Sequence, residues 1–390
     1  MSDAKVVSVE IRDLTPDDFD DVLDLRWRSF GPLSPADQEA WRRVFAPVAV
    51  EGRYLGAFDG DRLMAAARLR PFTQWWHGRP QPMAGVAGVT VNPEDRGRGV
   101  AKRLMTAVLG RAAELGDAVS ALYPATSPLY RAVGYEHAGA QNVVGIPAER
   151  LRTLRPGVPV ELRRMGPDDA PELLRVIARV HARTRASGPI TWDERTWRLL
   201  LAQANDFRYV ADDGYAVYRW DGGDLEVDSV VAASEATSRA LWSLIGSASS
   251  VAQTVFAAVA PDDPVLWSLE ERTKETVRQT RWMLRVVDLP AAIERRGYPA
   301  QVRAEVLLEV EDAILPGNAG TWRLTVADGA GRVEAASGEG TRVGAGGLAA
   351  LYAGVPTATL RLSGLLTGPD ASDAALDTIF SARPYMLQYF

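Results

Sequence analysis

The 390-residue chain contains no cysteine. That excludes disulfides, a thiolate nucleophile and any metal site built on sulfur. Histidine is nearly as scarce. Only His77, His137 and His181 occur, no two at a metal-ligand spacing, so no resident metal is expected. No apolar run approaches the roughly 20 residues that span a bilayer, and the N-terminal MSDAKVVSVEIRD has no apolar signal core. Strong charge of either sign is missing too. A net charge of -6 and a pI near 5.4 give no bulk attraction for nucleic acid or an anionic membrane. The expectation is a cytoplasmic protein that meets small molecules and neither nucleic acid nor membrane.

What is present is globular. Hydrophobic residues make up 47% and charged residues 24% of a chain too long for one ordinary core, so two or three domains are expected. Strands and helices alternate. Val7–Arg12 alternates like a strand, then Thr15, Pro16, Asp17 and Asp18 read as a helix start. Val22, Leu23, Leu25 and Trp27 follow as a helix face. Tyr54–Phe58 and Leu63–Pro71, split by Asp59-Gly60-Asp61, read as a hairpin.

This opening recurs. VEIRDLTPDDFDDVLDL (Val9–Leu25) matches VELRRMGPDDAPELLRV (Val160–Val176), and a second hairpin follows in Tyr209–Trp220 and Leu225–Val231. Two matches in the same order point to a duplicated domain. A third segment from Pro290 carries a helix at Ala291–Arg296 and strands at Arg303–Val310 and Trp322–Ala327. Helices at Leu348–Tyr352 and Ala371–Ser381 and a strand-like Tyr385–Phe390 complete an α+β pattern.

The most chemically pointed stretch is GVTVNPEDRGRGVAKRLM, Gly88–Met105. A strand feeds a glycine-bearing turn and then a helix, so free amides at the positive helix end form an anion site suited to phosphate. Gly97 and Gly99 permit close backbone approach, and Arg96 and Arg98 add charge. The P-loop and dinucleotide fingerprints are both absent. Taken alone, the stretch also fits a solvated surface turn. The second copy carries ASEATSRALWSLI (Ala233–Ile245) at this place and lacks the glycines.

Val89, Val91, Pro93, Arg96, Gly97, Gly99 and Ala101 resemble the acetyl-CoA pyrophosphate signature of GCN5-related N-acetyltransferases (GNAT). PLYRAVGYEHAG (Pro128–Gly139) is similar to the later part of that fold. RWMLRVVDLPAAIERRGYPAQV (Arg281–Val302) is similar to the entry into the third domain of one branch, the enhanced intracellular survival (Eis) acetyltransferases. The resemblance covers essentially the whole chain. It implies an active N-terminal GNAT domain (1–155), a degenerate GNAT domain (156–289) and a sterol-carrier-like α+β domain (290–390). It also implies a homo-hexamer, acetyl-CoA as co-substrate, and direct transfer to an amine of a small molecule or a lysine-like group.

The resemblance implies roles as well. Val89, Thr90 and Val91 would meet the thioester and pantetheine; Arg96, Gly97, Arg98, Gly99, Val100 and Ala101 the pyrophosphate; and Thr126 the pantetheine arm. Ser120 and Ser127 are weaker candidates for that contact. Tyr130 would protonate the departing thiolate, and the free carboxylate of Phe390, the last residue, would accept the amine proton. Trp27, Phe30, Trp41 and Tyr389 would line the acceptor pocket. Without the family, Tyr130 also reads as a core tyrosine, and the tail as one that frays or merely packs. Tyr389 stands where the family's best-known member is acidic, which disfavours aminoglycosides and suits a more apolar amine. Gly88 replaces a larger aromatic, an apparent gain of acyl room. Other acyl-CoAs with a dedicated biosynthetic amine, or a non-catalytic acyl-CoA or lipid binder, are the competing expectations.

Overall fold

The computed structural model describes residues 9–269 and 274–390. Val7 and Ser8, the start of the first expected strand, lie outside the described residues. The chain first forms β1 (Glu10–Asp13), α1 (Phe19–Phe30), α2 (Pro35–Val50), β2 (Tyr54–Asp59), β3 (Arg62–Trp76), β4 (Arg79–Val91), α3 (Val100–Glu114), β5 (Val119–Leu122), α4 (Ser127–Arg131) and β6 (Glu136–Pro147). After α5 (Ala148–Thr153) come β7 (Arg163–Arg164), α6 (Ala170–Thr184), β8 (Ile190–Thr191), α7 (Glu194–Leu201), β9 (Phe207–Ala211), β10 (Gly214–Asp221), β11 (Asp224–Ala232), α8 (Glu235–Gly246), β12 (Thr254–Val259), α9 (Pro264–Ser268) and β13 (Lys274–Val286). The last part holds α10 (Leu289–Arg295), β14 (Ala304–Glu311), β15 (Gly320–Ala327), β16 (Ala330–Ala335), β17 (Thr341–Gly344), α11 (Ala345–Tyr352), α12 (Thr357–Leu362), β18 (Leu366–Thr367) and α13 (Asp373–Ile379).

The internal repeat is visible in its hydrogen bonds. Asp18 accepts the Thr15 amide at 2.7 Å and Arg12 at 3.2 Å; Asp169 accepts the Gly166 amide at 2.7 Å and Arg163 at 2.9 Å. Each carboxylate closes the helix start that its Pro-Asp-Asp announces. The structure corrects the second hairpin: Asp212 and Asp213 turn the chain, so Tyr209–Trp220 is two strands, β9 and β10. The stretch Ala371–Ser381 yields only the shorter α13, and Tyr385–Phe390 forms no ladder beyond one bridge from Tyr385 to Ala140. The sequence reading missed α2. Its N-cap is Ser34, whose hydroxyl accepts the Asp37 amide at 3.2 Å, with Pro35 in the first turn.

The two repeated halves share one thirteen-stranded sheet, in the order β1-β2-β3-β4-β5-β13-β6-β12-β11-β10-β9-β7, with β8 against β3. β13 lies at the end of the second half in sequence, yet it sits between β5 and β6 of the first. Its buried Arg285 donates to Asp312 at 2.6 Å and to the Val133 carbonyl at 3.1 Å, joining the first half to the third part. Asn318 completes the cluster by donating to Asp312 at 3.1 Å. The third part carries its own five-stranded sheet, and a second buried guanidinium ties this part to β3 of the first half. Arg296 lies 5.0 Å from the Trp76 ring and 4.7 Å from Tyr352, and donates to the Tyr352 and Phe380 carbonyls.

A junction cavity of about 370 Å³ lies where the parts meet, lined by His181, Asp262, Asp263 and Tyr385. Burial lowers His181 to about 4 and raises Asp263 to about 6. The signs oppose. Neutral His181 contributes stability above about pH 6.5 that is lost as pH falls toward 4. Protonated Asp263 contributes stability below about pH 4 that is lost as pH rises through 6. Asp263→Asn retains the side-chain oxygen that accepts the Val265 amide at 3.0 Å. It is therefore expected to gain on the order of 2 kcal/mol at pH 8, a gain that vanishes near pH 4. Urea midpoints at the two pH values check this; an equal shift at both would remove Asp263 as the titrating group.

Candidate functional site

The site begins with a flaw in β4. Ala66 pairs with Thr90 and Arg68 with Ala87, so two residues of β4, Gly88 and Val89, oppose one of β3. This bulge is possible because Gly88 adopts φ +60. β4 pairs with β5 only over Met83–Gly85 and Val119–Ala121. Beyond Gly85 the two parallel strands part, and β4 runs on to Val91 bonded to β3 alone. Its outward amides are thereby left facing a cleft.

The turn after β4 is pinned from below. Asn92 donates its backbone amide to Met64 and its side-chain amide to Leu63, both at 2.9 Å. Asp95 is buried, and holds Arg62 at 2.7 Å and Arg98 at 2.9 Å. Those bonds keep its carboxyl below the usual range, the Arg62 hydrogen bond being the largest cause. Arg98 therefore points into the turn, and Arg96 lies toward the Val91 carbonyl at 3.4 Å. Gly97 and Gly99, at φ +74 and +77, lead into α3, and a Cβ on either would meet open space. The fifteen-residue α3 is anchored by Leu104, Met105, Val108 and Leu109 on the core side, with Val100 buried at its start. Its first amides are directed at the open ground above the glycines, a fit for diphosphate.

At the cleft lies a cavity of about 270 Å³, lined by Gly88, Val89, Thr90, Tyr130, Phe30, Trp41, Tyr389 and Phe390 among others. Thus the strand segment, the tyrosine, two pocket aromatics and the chain's own end converge. Trp27 is a correction: α1 turns it outward, 58% exposed, into a neighbouring surface hollow with Asp20 and Arg42. It sits two positions from Leu25, which takes the buried face instead. Thr126 stands at the N-cap position of α4 without a side-chain cap bond, exposed and outside the cavity lining. Ser120 is spent on the Ala84 carbonyl at 2.8 Å and the Tyr135 hydroxyl at 2.7 Å. His77 lies at the junction cavity, away from this one.

Tyr130 is buried on the short α4, its ring 6.2 Å from Tyr135. Burial raises its phenol above the ordinary value, and the Tyr389 phenol adds to the rise. The tail reaches it along a fixed path. Gln141 donates to the Leu387 carbonyl at 2.6 Å, Tyr123 donates its hydroxyl to the Gln388 carbonyl at 3.0 Å, and Met386 and Leu387 are buried. The Phe390 ring packs 4.8 Å from Phe72 and 5.5 Å from Tyr123, and Tyr389 lies 4.3 Å from Tyr123. A Cβ at Gly85 would sit 2.9 Å from the Phe390 ring, so that seat requires glycine.

Sequence reasoning missed Arg26, Arg68, Tyr54 and Tyr123 in this lining. A signal existed for Arg68. It stands in AAARLRPF, where alternate arginines share one face of an otherwise apolar strand. It also bears on the acyl-room expectation, since a Cβ at Gly88 would meet the Arg68 guanidinium at 2.5 Å and the space beside the glycine is thus bounded by that side chain. Among the described residues no group of three His, Asp or Glu is placed to hold a metal, and no helix is long and apolar enough to cross a membrane.

Residues 10–138 match the acetyltransferase (GNAT) domain family, residues 188–286 match a second acetyltransferase (GNAT) domain family, and residues 289–388 match the sterol carrier protein domain. The crystal structure of a GCN5-related N-acetyltransferase from Kribbella flavida superposes with a TM-score of 0.96 at 46% identity, covering 100% of both chains. An uncharacterised N-acetyltransferase from Streptomyces griseus is 28% identical over 89% of this chain and 90% of its own. The N-acetyltransferase Eis of Mycobacterium tuberculosis is 28% identical over 82% of each.

Proposed function

Because the chain belongs to the GCN5-related N-acetyltransferases, in an Eis-like arrangement of two acetyltransferase domains and a sterol carrier domain, we propose that it transfers acetyl from acetyl-CoA to a small-molecule amine. One observation carries this reading. Tyr130 and the C-terminal Phe390 line the same cavity, at the cleft that β4 opens beside the N-terminus of α3.

In this proposal the amides from Gly97 to Ala101 hold the pyrophosphate, and the outward amides of Val89 and Val91 align the pantetheine and the thioester. The amine attacks the thioester carbonyl, a C–N bond forms, and the C–S bond breaks. The Phe390 carboxylate pairs with the incoming cation and relays its proton, while Tyr130 gives its own proton to the thiolate. Reference values put phenol-to-thiolate transfer about 2 kcal/mol uphill. Burial keeps Tyr130 protonated and ready to donate, but lengthens that climb, so collapse of the tetrahedral intermediate must drive the step. No cysteine exists for a covalent acyl-enzyme, which favours direct transfer between two bound substrates.

The test is CoA release on mixing the protein with acetyl-CoA and a panel of amines; absence of release with every amine would favour a non-catalytic acyl-CoA binder. Gly97→Glu probes the phosphate end. Its side chain would place an anion, at φ +74, where diphosphate is to sit. Calorimetry is expected to show at least about tenfold weaker acetyl-CoA binding, and undiminished binding would move the cofactor elsewhere.

A further inference from the structure

The charged side chains that line this cavity are both cationic, Arg26 and Arg68, and no Asp or Glu lines it. The two guanidiniums are held without a counter-ion among the described residues. Arg26 donates to the Gly31 carbonyl at 2.8 Å, and Arg68 lies 4.1 Å over the Phe45 ring. The Arg68 Nε is buried with no hydrogen-bond partner. Several other arginines of the same domain are matched by carboxylates: Arg62 and Arg98 share Asp95, Arg53 holds Asp117, and Arg131 holds Glu136. A third guanidinium, Arg70, lies close behind, and burial together with the charge of Arg68 lowers it to about 10.

Half-buried like charges are costly unless a counter-ion meets them. The terminal carboxylate neutralises at most one of the two cavity guanidiniums, and in the proposed reaction it is directed at the amine. A polycationic acceptor would add to the mismatch. We propose that Arg26 and Arg68 recognise a carboxylate carried by a substrate of this enzyme. The inference rests on the acyl-transfer reading for what the cavity does, and on the arginines alone for what it binds. Arg68 stands beside the bulge at Gly88, where the acyl group would lie, and Arg26 projects from α1 across the cavity. The carboxylate therefore arrives either on the acyl group, as in succinyl- or malonyl-CoA, or on the acceptor, as in an amino acid.

Two experimental arms separate these sources. One compares acetyl-, malonyl- and succinyl-CoA with a single neutral amine. The other compares 4-aminobutyrate with butylamine and putrescine at fixed acetyl-CoA. In one arm the carboxylated member is expected to have at least about tenfold higher kcat/KM. Arg68→Gln and, independently, Arg26→Gln are expected to reduce that preference to within about threefold, and Arg68→Lys to retain part of it. Calorimetry with 4-aminobutyrate and with succinate, in the presence of CoA, reads the same preference without turnover. If no donor and acceptor react but either ligand binds and loses affinity in the arginine variants, the acyl-transfer reading fails and this one stands. Equal use and equal binding of neutral and carboxylated members, or a preference untouched in both glutamine variants, overturns it.

Discussion

A short tag appended after Phe390 is expected to lower kcat by about 10²- to 10³-fold, with acetyl-CoA affinity and melting temperature nearly unchanged. The reason is the way the tail is held. Its anchors lie upstream of the last residue: Met386 and Leu387 are buried, Gln141 grips the Leu387 carbonyl, and Tyr123 grips that of Gln388. A tag leaves all of them intact. It converts the terminal carboxylate into a neutral amide and forces more chain through the cavity of about 270 Å³ in which the reaction is proposed to run. Deleting Phe390 alone should produce a comparable loss, since the new carboxylate on Tyr389 would start one residue short of the seat formed by Phe72, Tyr123 and Gly85. Single-turnover rates with saturating acetyl-CoA separate this from a binding defect. A tagged protein with full kcat would eliminate the carboxylate from the proton route.

The second large effect is expected from Tyr130→Phe, which removes one oxygen and keeps the ring that packs near Tyr135. Loss of a positioned acid costs about 10²- to 10⁴-fold in the acid-dependent step. Affinity for acetyl-CoA should change less than about threefold, because the ring and the α3 amides stay in place. The pH profile gives a further check. Burial raises the phenol, so the wild-type rate should not fall on the alkaline side until above the ordinary tyrosine range, whereas the variant should lack that fall. A Phe variant with native kcat would leave Tyr130 as the packing tyrosine that its burial alone suggests.

The duplicated openings were readable in the sequence because each is local. A Pro-Asp-Asp start fixes its own hydrogen bonds within three residues, as Asp18 and Asp169 do. The phosphate turn was readable for the same reason, since Gly97 and Gly99 leave a signature in adjacent letters. The cavity around Phe390 was legible only through family resemblance. Its parts come from α1, α2, β2, β3, β4, the loop after β5, α4 and the chain end, and no spacing rule joins positions so distant. Asp95 is the intermediate case. An acid between Arg62 and Arg98 suggests a bridge, but only the folded turn shows that one buried carboxylate holds both arginines. Trp27 differs from its expected place on one helix face with Val22 and Leu25, because the helix phase directs it outward.

The position of β13 between β5 and β6 bears on how the polypeptide leaves the ribosome. The first domain cannot close its sheet until residue 286 has been made, although its own last strand ended at Pro147. During all of that interval β5 and β6 offer bare edges, the kind of surface on which nascent chains aggregate or recruit chaperones. Gene fragments that encode the N-terminal domain alone should therefore yield inclusion bodies, and mutations that slow emergence of the middle domain should lower yield without altering the finished enzyme.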